Sequence, residues 1–252
     1  MTVDVVYVTY RKDLAWICYS LQLLHKFFRA AFAVHVIAEE DCKEITDTWA
    51  LPRTTYHFSK PWPDGYAFAM YTKTMADQVS QADLIILMDS DHLLLEPVYL
   101  EDLLDHGRPI VRYREWDEDP NDAMLAVSRQ QWSPPTERTL GIPLDRDYMV
   151  GAPFIFWRDT FSLVRNRIED VTGLPFHDAV YSDHPYDYRH FLNHPKVYCD
   201  YEALGLCAVK FQSDRYSLVH HSRGSHMPFR TYWSHGDWTP SLQTKLDALL
   251  LS

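Results

Sequence analysis

The sequence predicts a single-domain α/β protein whose central sheet is mixed, mainly parallel and flanked by helices. Three observations carry that prediction. Val3–Thr9 (VDVVYVT) is an apolar, β-branched run. Leu14, Ile17, Cys18, Leu21, Leu24 and Phe28 then recur at helical spacing, and Phe32–Glu39 (FAVHVIAE) restores a strand pattern. Strand, helix and strand in immediate succession are the signature of a parallel βαβ unit.

The remaining elements follow in order. Asp13 stands where a cap of the first helix belongs. Thr54–Ser59 (TTYHFS) is a further short strand, and SKPWPDGY after it is a proline- and glycine-marked loop. A helix from Ala67 to Val79 leads to the buried strand Leu84–Met88 (LIILM), which runs directly into Asp89-Ser90-Asp91. Beyond Glu96 the pattern loosens. Arg108–Arg114 reads as a strand, Glu115–Met124 as an acidic solvated loop and Gln131–Pro143 (QWSPPTERTLGIP) as turn-rich. Tyr148–Trp157 reads as a strand with a glycine where something must approach closely, and Arg158–Val171 and Tyr201–Phe211 read as helices. No repeat or linker divides the 252 residues, so one domain is expected.

Composition narrows the functional classes. A formal charge of -11 opposes nonspecific attraction to nucleic acid or anionic membrane, because no basic run is present to displace phosphate counterions. Aromatic residues are 14% of the chain, which suits a core and also suits surfaces that stack on sugar or base rings. The four cysteines form no CxxC pair and have no histidine at zinc-finger spacing; reduced, mostly buried thiols in a cytoplasmic protein are expected. No segment reaches the roughly 18 uninterrupted apolar residues of a membrane span, and the amino terminus lacks the basic and apolar regions of a signal peptide.

The chemistry is concentrated in ADLIILMDSDHLLLEP, Ala82 to Pro97, where two carboxylates stand between two apolar runs. In parallel sheets, ligands collect beyond the carboxyl ends of strands, and that is where Asp89 and Asp91 stand. Residues i and i+2 of an extended segment point the same way, so both acids can converge on one cation while Ser90 faces away. Hard oxygen donors suit Mg²⁺ or Mn²⁺, whose open positions phosphates fill. Departure of a diphosphate is the chemistry such an ion serves.

An apolar strand ending in DxD, after a first strand ending VTYRKD, resembles the GT-A class of nucleotide-sugar glycosyltransferases. GYAFAMYTKTMADQVSQADLIILMDSDHLLLEP, followed by TERTLGIP, YM and CDYEALG, is further similar to a set of bacterial and viral glycosyltransferase-like proteins, mostly of unassigned acceptor. The resemblance spans Val3 to His221. It implies a GT-A fold in which residues 1–97 form the nucleotide-binding half, ending in DxD, and residues 98–252 the acceptor and sugar half.

The resemblance also implies roles for individual residues. Asp91 would be the direct metal ligand, and Asp89 would contact the ribose, or the metal through water. Thr9, Tyr10, Arg11 and Asp13 would hold the nucleotide, and Lys73 would reach a phosphate; Asp13 as a helix cap and Lys73 as a solvated charge are equally open. A late histidine from SLVHHSRGSH would be a third metal ligand, with His221 chosen over His220 and His226. Asp200 or Glu202 would be the general base or a donor-sugar contact, with an N-terminal helix cap as the alternative. The expected reaction is metal-dependent transfer of a sugar from a nucleotide-diphosphate sugar to a hydroxyl acceptor, a glycan before a modified DNA base. A DxD phosphohydrolase and a noncatalytic nucleotide-sugar-binding protein are the alternatives.

Overall fold

The computed structural model describes residues 1–46, 51–119, 122–181, 198–221, 228–232 and 238–251. Its centre is a five-stranded sheet, built from β1 (Val3–Thr9), β2 (Phe32–Glu39), β3 (Thr54–Ser59), β4 (Leu84–Asp89) and, later in the chain, Phe154–Trp157. The order places Phe154–Trp157 at one edge, then β4, β1, β2 and β3. Every pairing is parallel except that of Phe154–Trp157 with β4. The architecture is therefore α/β, with a mixed, mostly parallel, Rossmann-like sheet flanked by helices, as the first 90 residues predict.

β1 lies between β2 and β4 and is buried on both faces, which is why it reads as continuously apolar rather than alternating. From β1 the chain moves outward through α1 (Leu14–Phe27) to β2, then to β3. It returns through α2 (Gly65–Thr74) to β4 on the opposite side of β1. Right-handed crossovers taken in opposite directions put α1 and α2 on opposite faces of the sheet. The strand order thus reverses between β1 and β4, and this switch point is where open parallel sheets leave a crevice beyond their carboxyl ends. Asp64 starts α2 by accepting the backbone N–H groups of Tyr66 and Ala67 at 2.8 and 3.0 Å. The α-helix ends at Thr74 and a single 3₁₀ turn, Ala76–Gln78, completes the segment predicted to run to Val79.

Two expectations for the second half change. The described strand in Tyr148–Trp157 is only Phe154–Trp157; Tyr148 to Gly151 line a loop beside the cavity instead. Gln131–Pro143, expected to be turns, is largely helical: a π turn over Ser128–Trp132 runs directly into a helix, α3, over Ser133–Leu140. The prolines explain both the expectation and the outcome. Pro134 and Pro135 cannot donate to a preceding turn, and their rings crowd the carbonyls there, so the helix widens and Ser133 N–H bonds Ser128 C=O five residues back. Gly141, at φ 63°, then ends the helix in the left-handed region.

β5 (His92–Leu94) closes the first half, and the second half supplies β6 (Arg108–Tyr113), α4 (Arg158–Thr172), α5 (Asp200–Phe211) and β7 (Ser217–His220), the last parallel to β6. All four cysteines are free thiols and three are buried. Among the described residues, no helix is long and apolar enough to cross a membrane.

Helix α5 approaches the loop at Tyr148 so closely that a Cβ built on Gly205 would lie 2.6 Å from the Cβ of Tyr148. Gly205→Ala should therefore cost about 1–3 kcal/mol, the usual range for overpacking, in a urea titration. Gly65→Ala, with nothing within 4 Å of its added Cβ, should be neutral or slightly stabilising.

Candidate functional site

A cavity of about 550 Å³ opens beyond the carboxyl ends of β1 and β4, at the switch point. Its size lies within the range of small-molecule sites. Tyr10 and Asp13 reach it from the end of β1, Lys73 from α2, Asp89, Ser90 and Asp91 from the end of β4, His92 from β5, and Asp200 and Tyr201 from the start of α5.

β4 ends at Asp89, and Ser90 and Asp91 form a turn. The turn, not strand alternation, brings the two acids together. Ligand atoms of Asp89, Asp91 and His92 all lie within 4.8 Å of one another. Ser90 does face away: its hydroxyl donates to Thr9 Oγ1 at 2.9 Å. Thr9 is itself fully buried and clamps the turn to the end of β1 instead of lining the cavity.

The donor set fits a divalent cation, with unequal parts for its members. His92 Nδ1 accepts the backbone N–H of Asp89 at 3.0 Å, so the neutral ring carries its proton on Nε2, which faces Asp89 Oδ2 at 3.6 Å. An imidazole in that tautomer has no lone pair to offer an ion beside Asp89. It holds Asp89 through the backbone N–H instead. Asp89 Oδ1 is 2.6 Å from Lys73 Nζ, so the ammonium engages that oxygen. Asp91, at the tip of the turn, is the carboxylate best placed as a direct ligand, and hard oxygen donors of this kind suit Mg²⁺ or Mn²⁺.

Lys73 binds a second carboxylate, Asp200 Oδ2, at 3.3 Å, and its ammonium lies 4.2 Å from the centre of the Tyr201 ring. Desolvation alone would drive this buried ammonium toward neutrality. Two carboxylates outweigh it and hold the Lys73 pKa well above its ordinary value. Burial likewise acts to raise Asp89, but Lys73 and His92 prevail and hold it below the usual carboxylate range. For Asp200 burial prevails and raises the pKa, with Lys73 opposing. Burial lowers His92 to about 4, so the ring is neutral near pH 7.

The sequence-derived residues thus divide. Tyr10, Asp13, Lys73, Asp89, Asp91 and Asp200 meet at one cavity. Asp13 makes no side-chain cap bond to α1, and its side chain is buried beside Tyr10, whose hydroxyl is raised in pKa by burial and by Asp13. Lys73 is neither solvated nor free for a phosphate, because two carboxylates hold it. Arg11 is exposed and donates to the backbone carbonyl of Asp41 at 2.9 Å, outside the cavity lining.

Glu202 does not line the cavity. It follows Asp200 by two residues, on roughly the opposite side of α5, and its fully buried carboxyl accepts from Ser128 Oγ and Tyr148 N–H, both at 2.9 Å. Burial and the neighbouring Asp147 carboxylate push its pKa well up. It ties α5 to the π turn and to the loop at Tyr148, which is a structural task.

His221 is not brought to Asp91. It follows β7, its backbone N–H bonds Tyr113 C=O at 2.8 Å, and its ring lies near Arg112 and Arg114, which together with burial lower its pKa. β7 pairs with β6 rather than with the central sheet, and that pairing carries the ring elsewhere. His220 bonds Glu118 at 2.8 Å, and His226 lies outside the described residues.

Sequence reasoning missed His92, although DSDH places it beside the motif, and missed Tyr201 stacked on Phe154 with ring centroids 3.7 Å apart. It also missed Asp147, fully buried, which Arg114 grips with Nε and Nη2 at 3.2 and 2.8 Å. No local pattern marks that residue. Neither models of known protein families nor curated proteins match this chain.

The His92 tautomer makes a prediction. Unfolded His92 would titrate near 6.5 and folded His92 near 4, so between these values the unfolded state binds more protons and acid destabilises the fold. The span corresponds to about 3 kcal/mol at most. In chelator, the stability advantage of wild type over His92→Gln should shrink by up to that amount between pH 7 and pH 4, read from urea midpoints. A gap independent of pH would mean that the ring ionises in the fold as it does in water.

Proposed function

We propose that this protein is a GT-A-type glycosyltransferase that moves a sugar from a nucleotide-diphosphate donor to a hydroxyl acceptor with the help of Mn²⁺ or Mg²⁺. The observation that carries the reading is the place of Asp89 and Asp91: at the end of β4, on the switch point, in a cavity large enough for a nucleotide sugar. Tyr10 and Asp13, on the adjoining end of β1, are then the nucleotide contacts, and Asp91 holds the cation, with Asp89 held beside it by Lys73 and His92. A divalent cation there would neutralise the charge that develops on a departing diphosphate.

Asp200 is the residue for the acceptor proton. It is buried, faces the cavity, and has a pKa raised toward the working range of a general base, while Lys73 keeps its ionised form available. The hydroxyl hydrogen passes to Asp200 Oδ as the acceptor oxygen bonds to the anomeric carbon and the diphosphate leaves with the bond electrons. A glycan is the acceptor we favour over a modified DNA base, given the acidic chain. Free thiols agree with a cytoplasmic location, where nucleotide sugars would be at hand.

The test is thermal stabilisation by UDP-, GDP-, ADP- and dTDP-sugars with and without Mn²⁺. One donor should raise the melting temperature only with the cation, and Asp91→Ala should abolish that dependence while the fold survives. Equal stabilisation in chelator would sink the proposal, and phosphate release from an aryl phosphate without any nucleotide sugar would favour a phosphohydrolase. Stabilisation without turnover on any acceptor would favour a binding protein.

Asp200→Asn should lower turnover by roughly 10² to 10⁴ with donor affinity nearly unchanged. Glu202→Gln should instead lower stability and leave the specific activity of the folded fraction intact. The reverse pattern would exchange their roles.

A further inference from the structure

A row of polar side chains crosses the central sheet outside the cavity. Asp4 on β1 stands opposite Ala33, His35 on β2 opposite Val6 and Thr55, and His57 on β3 opposite Ile37. Each member of the row therefore lies two positions beyond the residue that faces the member before it, and a step of two along a strand returns to the same face. The register puts His57 level with Asp89 but three strand spacings away, about 14 Å, and none of the three side chains lines the cavity.

The row is joined end to end. Asp4 Oδ1 accepts the Ala33 N–H at 3.0 Å and Oδ2 accepts the Ser80 hydroxyl at 2.7 Å, which fixes the carboxylate. His35 Nε2 lies 3.3 Å from Asp4 Oδ2, and His35 Nδ1 lies 3.1 Å from His57 Nε2. A carboxylate only accepts, so the His35 proton sits on Nε2 and the lone pair of Nδ1 points toward His57. A carboxylate behind an imidazole, holding its proton on the far nitrogen, is the arrangement that metal-binding histidines use. His57 Nδ1 has no hydrogen-bond partner among the described residues, so nothing there ties the His57 proton to one nitrogen.

We infer that His35 Nδ1 and His57 Nε2 form a chelating site for a divalent transition-metal ion of the Zn²⁺ and Cu²⁺ class, with Asp4 orienting His35 from behind. Two imidazole nitrogens bound to one such ion lie about 3.3 Å apart in tetrahedral geometry and about 2.9 Å apart in square-planar geometry, and the observed 3.1 Å falls between them. In the metal-free pair the His57 Nε2–H donates to His35 Nδ1. When the ion enters, that proton moves to His57 Nδ1, the rings turn their lone pairs onto the ion, and water completes the shell. Both histidines are half-buried, so water reaches them. Imidazole suits Zn²⁺ and Cu²⁺ and carboxylate suits Mg²⁺ and Mn²⁺, so this pair and Asp91 would take different ions from one mixture. β3 is the edge of the five-stranded sheet, and the ion would tie that edge to β2. The inference stands independently of the transferase reading.

The experiment uses the full chain without an affinity tag, in excess Mg²⁺ so that the carboxylates at the end of β4 do not compete. Calorimetry with Zn²⁺ reads affinity, and electron spin-echo spectroscopy with one equivalent of Cu²⁺ counts coordinated imidazoles. Wild type should bind Zn²⁺ and show two imidazoles on Cu²⁺. His57→Gln and His35→Gln should each weaken Zn²⁺ binding by roughly tenfold or more and remove an imidazole from the Cu²⁺ signal. Asp4→Asn should keep both imidazoles and weaken binding by roughly 10- to 100-fold, the usual effect of losing the partner behind a metal-binding histidine. Asp91→Ala should change Zn²⁺ affinity less than about twofold, because its carboxylate lies outside the row. His57→Gln, on the edge strand, guards against a misfolded His35 variant, and urea midpoints without metal check both.

Three outcomes overturn the inference: no Zn²⁺ heat and no imidazole on Cu²⁺ with wild type; an affinity indifferent to both histidine variants, which would place the ion on other side chains; or a loss in Asp91→Ala alone, which would place it at the end of β4.

Discussion

An ionised carboxylate, Asp89, stands where the central strand meets the cavity, and the site is arranged around keeping it charged. Lys73 at 2.6 Å supplies the counter-charge and His92 holds the Asp89 backbone N–H. Neither could do this on the surface, where water would screen the ammonium and the ring would ionise. Lys73 and His92 are buried and Asp89 only partly so, and the arrangement is costly to disturb, because removing Lys73 would leave two carboxylates without their counter-charge. Lys73 is shared with Asp200, so one cation couples the end of β4 to the start of α5. The two halves of the chain are thereby joined at the point where the chemistry is proposed to occur.

The sheet gives that point its place. Because β1 lies between β2 and β4, the chain reverses direction across it, and the crevice opens above the reversal. Thr9 and Ser90, the next residues beyond the last β1–β4 pair, share a hydrogen bond that closes the end of the sheet beneath the cavity. α1 contributes from the other side: Ser20 bonds both the Tyr7 hydroxyl of β1 and the backbone carbonyl of His92. The position of the His92 ring thus traces back through a helix to the first strand.

A second buried polar network, Arg114–Asp147–Ser128–Glu202, borders the same cavity without reaching into it through Glu202. Its members come from four separate stretches of chain. Satisfied as it is, such a network specifies one arrangement of the wall around it, since any other would strand a charge in low dielectric. The close contact of Gly205 with Tyr148 belongs to the same joint.

The sequence by itself determined the first 90 residues: the βαβ start, the helix before β4, and the acids at the end of β4 are properties of short segments, and apolar spacing reports them faithfully. It also brought Tyr10, Asp13, Lys73 and Asp200 into consideration, through motifs beside element ends. The tertiary structure alone decided their partners. Whether Lys73 faces a phosphate, solvent or two carboxylates depends on where α2 and α5 pack, and no local pattern encodes that contact. Glu202 and His221 show the same limit. Two positions along one helix separate a cavity-facing acid from a buried strut, and a strand's choice of neighbour separates a metal ligand from a ring beside two arginines. Phase and pairing are fixed by packing over the whole core, because the free energy that selects them is the burial of residues far apart in the chain.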